Sequence, residues 1–124
     1  MESMFQSARA FNQPINSWNT SKVTNMVDMF SYAKAFNQPL DSWNTAAVTT
    51  MERMFFGATV FNQPIDSWDT SAVVNMDYMF YFATAFDQPI GSWHISSLKS
   101  CLTAASFWSR TFPIQLNMLI YVAS

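Results

Sequence analysis

The chain has 124 residues and a formal net charge of -2; half of its residues are hydrophobic, only 11% are charged, and it holds twelve Phe and five Trp. That length allows at most one domain, and so much apolar surface excludes an intrinsically disordered chain. No run of Lys or Arg is present, which excludes the electrostatic footprint of a nucleic-acid binder.

The chain opens MESMFQSARAF, without the basic flank and continuous apolar core of a signal peptide. It enters in the middle of a repeating unit, so it is expected to be a fragment or to start late. Met4, Phe5, Ala8, Phe11, Asn12, Gln13, Pro14, Ile15, Trp18 and Val23 make the first copy. The same columns read Met29, Phe30, Ala33, Phe36, Asn37, Gln38, Pro39, Leu40, Trp43 and Val48, then Met54 to Val73, then Met79 to Leu98. Every column recurs at one constant interval, the step from Met4 to Met29, to Met54 and to Met79. A fixed period of this size marks stacked supersecondary units. A repeat solenoid is therefore expected over residues 1–102, with coils at about 4–28, 29–53, 54–78 and 79–102.

Within a coil, Thr20 reads as a helix N-cap. Val23, Met26, Met29, Phe30 and Ala33 follow at spacings of three and four, which predicts one apolar face of a short helix. Thr45 opens the same pattern through Val48, Met51, Met54, Phe55 and Ala58, and Thr70 opens it through Val73, Met76, Met79, Phe80 and Ala83. Each helix must stop before the proline, because proline disfavours helical geometry in the residue ahead of it. In the unit 45–69, Phe61 closes the helix, Asn62 and Gln63 turn, and Ile65 to Trp68 form a very short parallel strand. The expected class is an α/β repeat solenoid of about four coils, each with one short helix and one such strand.

Asn12, Asn37 and Asn62, with Gln13, Gln38, Gln63 and Gln88, form two amide columns that predict a hydrogen-bonded ladder along the stack. The single cysteine, Cys101, excludes an intrachain disulfide. It replaces Met26, Met51 and Met76 in their column and reads as a buried apolar side chain. Past Leu102 the repeat dissolves, and residues 103–124 are expected to be a divergent cap or a disordered tail. The apolar stretch in TFPIQLNMLIYVAS spans about seven residues, short of the roughly 20 needed to cross a bilayer.

The units FNQPLDSWNTAAVTTMERMFFGA and FNQPIDSWDTSAVVNMDYMFYFA closely resemble those of the BspA-type leucine-rich-repeat surface proteins, also catalogued as domain of unknown function 285. The likeness covers residues 4 to about 100 and joins Phe-Asn-Gln-Pro, the Trp, the Val-x-x-Met-x-x-Met-Phe run and the spacing. It implies a leucine-rich-repeat-like, right-handed solenoid. Members are similar in being secreted, lipid-anchored or wall-attached proteins, regarded as adhesion or host-interaction modules, so an extracellular or cell-surface location is implied. The family brings no catalytic residues.

Chemistry is sparse. Gly57 and Gly91, the two glycines of the chain, exclude the common phosphate-binding loops. Asp41 and Asp66 share a column, as do Glu52 and Asp77, and a stacked carboxylate pair would suit Ca²⁺ or a glycosidase. Asn16 and Gly91 break the first column, so these acids read as exposed non-core positions. His94 stands without a second His or a Cys near it in its unit, unlike a zinc site. No catalytic residue, cofactor or metal is expected. Asn19-Thr20-Ser21 is a glycosylation sequon, informative only in a secreted eukaryotic protein.

The columns that vary carry the functional expectation. Gln6, Ser31, Phe56 and Tyr81 share one, Ser7, Tyr32, Gly57 and Phe82 the next, and Tyr78 lies one helical turn before Phe82. Tyr32, Phe56, Tyr78, Tyr81 and Phe82 are the candidate partner-binding residues, since exposed aromatic clusters mark interaction surfaces. The alternative is that some pack under a corner of the coil or against the tail. The expected function is a non-catalytic interaction or adhesion module for a protein or glycan, stacked with further repeats. A spacer without its own ligand is the second reading, and a carboxylate-pair glycosidase the third.

Overall fold

The computed structural model describes residues 1–94. The expectations for Leu98, Cys101, the remainder of the fourth coil and the segment 103–124 lie outside the described residues. Over the described span the chain winds into a stack of coils, one to each sequence repeat, and equivalent side chains lie over each other.

The aromatic files show the stacking directly. Phe5, Phe30, Phe55 and Phe80 stack with centroids 5.6, 5.5 and 5.7 Å apart. Phe11, Phe36, Phe61 and Phe86 run beside them at 5.7, 6.0 and 5.9 Å. Within a coil the two files touch, as in Phe30 and Phe36 at 4.2 Å. Trp43, Trp68 and Trp93 form a third file, with planes within 7° and 4° of parallel. Each fully buried large side chain contributes on the order of 1.5–3 kcal/mol, and each aromatic pair about 0.5–1.5 kcal/mol more. Trp18 begins the tryptophan column 40% exposed where Trp43 is 4% exposed, because only one neighbouring coil covers it.

The α/β class does not hold. Among the described residues there is no helix, and the only ladder pairing assigned is the isolated parallel bridging Asn25–Thr50–Asn75. The leucine-rich-repeat-like coil of one helix and one strand is therefore replaced by a chain of tight turns. The physical reason lies in where the backbone N–H groups go. Met26, Asp28, Phe30 and Tyr32 donate to Thr50, Glu52, Met54 and Phe56 of the next coil, at 2.7–3.1 Å. Met29, Ser31 and Ala33, between and after them, donate three residues back, to Met26, Asp28 and Phe30. A helix would need all of these N–H groups for bonds four residues back. Left-handed backbone recurs in every coil as well: Ser3, Asp28, Arg53 and Tyr78 form one such column, and Ser7, Tyr32, Gly57 and Phe82 the other, with φ between 50° and 64°. Two left-handed residues four positions apart in each coil cannot belong to a continuous right-handed helix.

Tandem turns still bury the expected residues. Val48, Met51, Met54, Phe55 and Ala58 are all fully buried, as are Val73, Met76, Met79, Phe80 and Ala83. The anticipated strand is also a turn: Trp68 N–H closes onto the Ile65 carbonyl at 3.2 Å, and both side chains are buried in the core. The indole Nε1 then donates to a buried carbonyl of the preceding coil, Trp43 to Ile15, Trp68 to Leu40 and Trp93 to Ile65, at 2.9–3.0 Å.

The threonines act between coils rather than as helix caps. Thr20 Oγ1 donates to the Asn44 carbonyl and accepts from Asn44 N–H, and Thr45 donates to the Asp69 carbonyl. The residue before each threonine makes the local contact: Asn19, Asn44 and Asp69 accept from the backbone N–H of Ser21, Ala46 and Ser71. The Ser71 hydroxyl also donates to Asp69, and these two bonds hold that carboxyl below its ordinary value of 3.8.

The amide columns form the ladder the sequence predicts. Asn12 Oδ1 accepts from Asn37 N–H and from Gln38 Nε2, at 2.9 and 3.1 Å. Asn37 does the same for Asn62 and Gln63, and Asn62 for Asp87 and Gln88.

Candidate functional site

The two left-handed columns contribute nothing to the apolar core, and the column between them adds Gln6, Ser31, Phe56 and Tyr81. Tyr32, Phe56, Tyr78, Tyr81 and Phe82 all belong to this edge of the stack. The structure brings the five together across three coils. Tyr32 meets Phe56 edge-on at 5.2 Å. Phe56 meets Tyr81 at 5.7 Å and Phe82 at 5.9 Å, Tyr78 meets Tyr81 at 5.7 Å, and Tyr81 meets Phe82 at 4.3 Å. Tyr32, Tyr78 and Phe82 are 41%, 44% and 52% exposed, while Phe56 and Tyr81 are half-buried between them. Tyr78 and Phe82 reach this edge from consecutive turns with φ of 57° and 59°, not from one helical turn.

Gly57 sets the lie of the patch. It occupies a left-handed position, with φ of 64°, and a Cβ there would come within 2.8 Å of the Tyr32 ring. The missing side chain lets the tyrosine lie across the neighbouring coil against Phe56.

Beside the patch is an open cleft of about 320 Å³ with Tyr32, Phe56 and Tyr78 among its walls. Asp28 and Arg53 line it too, joined by an ion pair from Arg53 Nη2 to Asp28 Oδ2 at 2.8 Å. The Asp28 side chain is 8% exposed and that of Arg53 46%, so the pair links the protein interior to solvent. Glu52 Oε1 lies 3.8 Å from Arg53 Nε and adds negative charge. Gln6 and Ser31 complete the lining. Asp28 and Arg53 were not singled out from sequence. The available signal was their spacing: opposite charges one period apart in a column must meet once the coils stack.

Asp41 and Asp66 are both exposed, as expected, and Asp41 Oδ1 accepts from Asn16 Nδ2 at 2.9 Å. Neither lines the cleft, nor does His94. Among the described residues no three His, Cys, Asp or Glu side chains converge as a metal site would require, and no helix is long and apolar enough to cross a membrane.

A family model matches residues 1–111, that of the family described as Mycoplasma protein of unknown function, DUF285. No curated protein and no solved structure matches the chain.

Proposed function

The chain belongs to the DUF285 family, and on that premise we propose that it is a non-catalytic interaction module that engages a partner, protein or glycan, through the aromatic edge of its coils. The observation that carries this reading is the contiguity of Tyr32, Phe56, Tyr78, Tyr81 and Phe82 across three coils, with three of them more than two-fifths exposed. Large aromatic side chains left in water, on a fold that hides most of its other rings, are costly unless something covers them, and such rings dominate binding energy at interfaces. The resemblance to BspA-type surface repeat proteins supports adhesion at the cell surface as the setting. The same repeat chemistry supports stacking of further coils onto this array.

The test is adherence of the purified chain to immobilised extracellular-matrix proteins and to a glycan array. The wild type is expected to bind at least one surface. The triple variant Tyr32→Ser, Tyr78→Ser, Phe82→Ser is expected to lose at least about ten-fold in affinity, with its thermal unfolding within a few degrees of wild type because all three side chains are exposed. A folded wild type that adheres to nothing on either panel would establish the spacer reading instead.

A further inference from the structure

We infer that the cleft between Tyr32 and Tyr78 takes an uncharged sugar residue of a glycan chain; this rests on the interaction reading above and names its ligand class. A pyranose ring combines apolar C–H faces with a rim of hydroxyls that both donate and accept. It therefore needs aromatic surface and planar hydrogen-bonding groups within one small, nearly neutral cleft. The three aromatic walls meet the first need. The Asp28–Arg53 pair meets the second: one carboxylate oxygen takes Arg53, and the guanidinium, on a side chain 46% exposed, keeps donors for a ligand. Gln6 and Ser31 add an amide and a hydroxyl at the same cleft. The volume of about 320 Å³ sits at the lower end of small-ligand pockets.

Charge decides between kinds of sugar. Arg53 is neutralised by Asp28 and faces Glu52 as well, so no net positive field remains for sialic or uronic acids, sulfated sugars or phosphate groups. A proline-rich peptide also docks on aromatic grooves. Its pyrrolidine rings, however, would cover Asp28 and Arg53 without replacing the water bonds they lose, and burying such groups unpaired is costly. Sugar hydroxyls satisfy both partners. Arg53 is already held by Asp28, so little side-chain freedom is lost when a ligand binds. Beyond the cleft the rings continue from Phe56 to Tyr81 and Phe82, so an oligosaccharide gains contacts that a monosaccharide lacks.

The experiment is titration calorimetry of the full chain with cellotetraose, mannotetraose, xylotetraose and chitotetraose, each beside its monosaccharide, with tetragalacturonate and a proline-rich decapeptide as competitors for the assignment. At least one neutral tetrasaccharide is expected to bind, more tightly than its monosaccharide and than tetragalacturonate. Tyr78→Ala and Arg53→Gln are each expected to weaken it about ten-fold or more. Tyr78 is exposed and its loss leaves the core intact, so the Tyr78→Ala result stands even if the Arg53 variant folds poorly. Saturation-transfer NMR should place the sugar C–H protons against tyrosine ring protons. Absence of binding by all four neutral tetrasaccharides to folded protein, or binding indifferent to Tyr78→Ala, overturns the assignment, as does capture of the decapeptide or tetragalacturonate alone. If the triple tyrosine and phenylalanine variant nevertheless loses adherence to the protein panel, only the ligand class falls and the interaction surface survives.

Discussion

At the scale of single residues, the stack depends on backbone that side chains usually avoid. Tyr32, Arg53, Tyr78 and Phe82 all sit at positive φ, at a cost of roughly 1 kcal/mol each. The inter-coil bonds of Tyr32 N–H to Phe56 and of Arg53 N–H to Asp77, at 2.7 and 2.9 Å, hold those two residues there. Because Ser3 and Ser7 repeat the conformation in the first coil, it belongs to the repeat and is not a signature of the cleft. Gly57 is the one position where both the angle and the space call for glycine. Gly57→Ala is expected to destabilise the chain by about 1–2 kcal/mol, from its left-handed angle and from the ring it displaces. Chemical denaturation checks the size, and the Tyr32 ring resonances should move in NMR while those of Trp93 do not. Unchanged stability would mean that Tyr32 does not lie over Gly57.

At the scale of one structural element, the amide ladder shows how irregular turns become a regular wall. The turn at Asn37 and Gln38 has no helix or sheet to receive its polar groups, so each takes a partner one coil away. Asn37 Oδ1 serves both Asn62 N–H and Gln63 Nε2. Asn37→Ala is expected to cost about 1–2 kcal/mol, since the partly buried Asn62 N–H loses its acceptor, while Gln63 Nε2 keeps the Asn37 carbonyl at 3.1 Å. Asn16→Ala, whose partners Asp41 and Ser42 are exposed, should cost under about 0.5 kcal/mol. Equal losses in paired denaturation curves would refute the ladder as a source of stability. This element was legible in sequence because its amides recur in register. The helix was not, because Val23, Met26, Met29, Phe30 and Ala33 have the spacing of a helical face. Tandem turns with a left-handed residue at Asp28 and Tyr32 bury the same set. Only Gly57 hinted at that backbone, and three of its column mates are Ser, Tyr and Phe, residues that do not announce a positive angle. At the candidate site, the five aromatic residues were readable from the variable columns, whereas the Asp28–Arg53 pair needed the register of one coil on the next.

For the whole molecule, the interfaces between the described coils repeat the same two phenylalanine files, an indole bond and an amide bond, joined from Trp43 onward by the tryptophan file. Stability is then close to a sum over neighbours. Removing residues 45–69 joins Asn44 to Thr70 in register, so that each remaining coil meets an equivalent neighbour. Trp43→Ala with Trp68→Ala instead opens adjoining voids in the file and orphans the Ile15 and Leu40 carbonyls. Each such truncation costs about 3–5 kcal/mol, against a total of roughly 5–15 kcal/mol for a domain. The deletion is therefore expected to unfold cooperatively at a denaturant midpoint well above that of the double variant. The opposite order would rule out coils that stack independently.

Period and the identity of the buried side chains follow from the order of residues alone; the variable columns named the five aromatic residues, and the stacking of the coils decided that Tyr32, Tyr78 and Phe82 are exposed and Phe56 and Tyr81 half-buried. Equivalent apolar groups recurring at one spacing can leave water together only by lying over one another. The path of the backbone between them was decided by tertiary structure. A helix and a run of turns bury the same i, i+3, i+4 positions. The choice between them rests on whether an N–H finds its acceptor four residues back or one whole coil ahead, in a part of the chain that no local stretch of sequence contains.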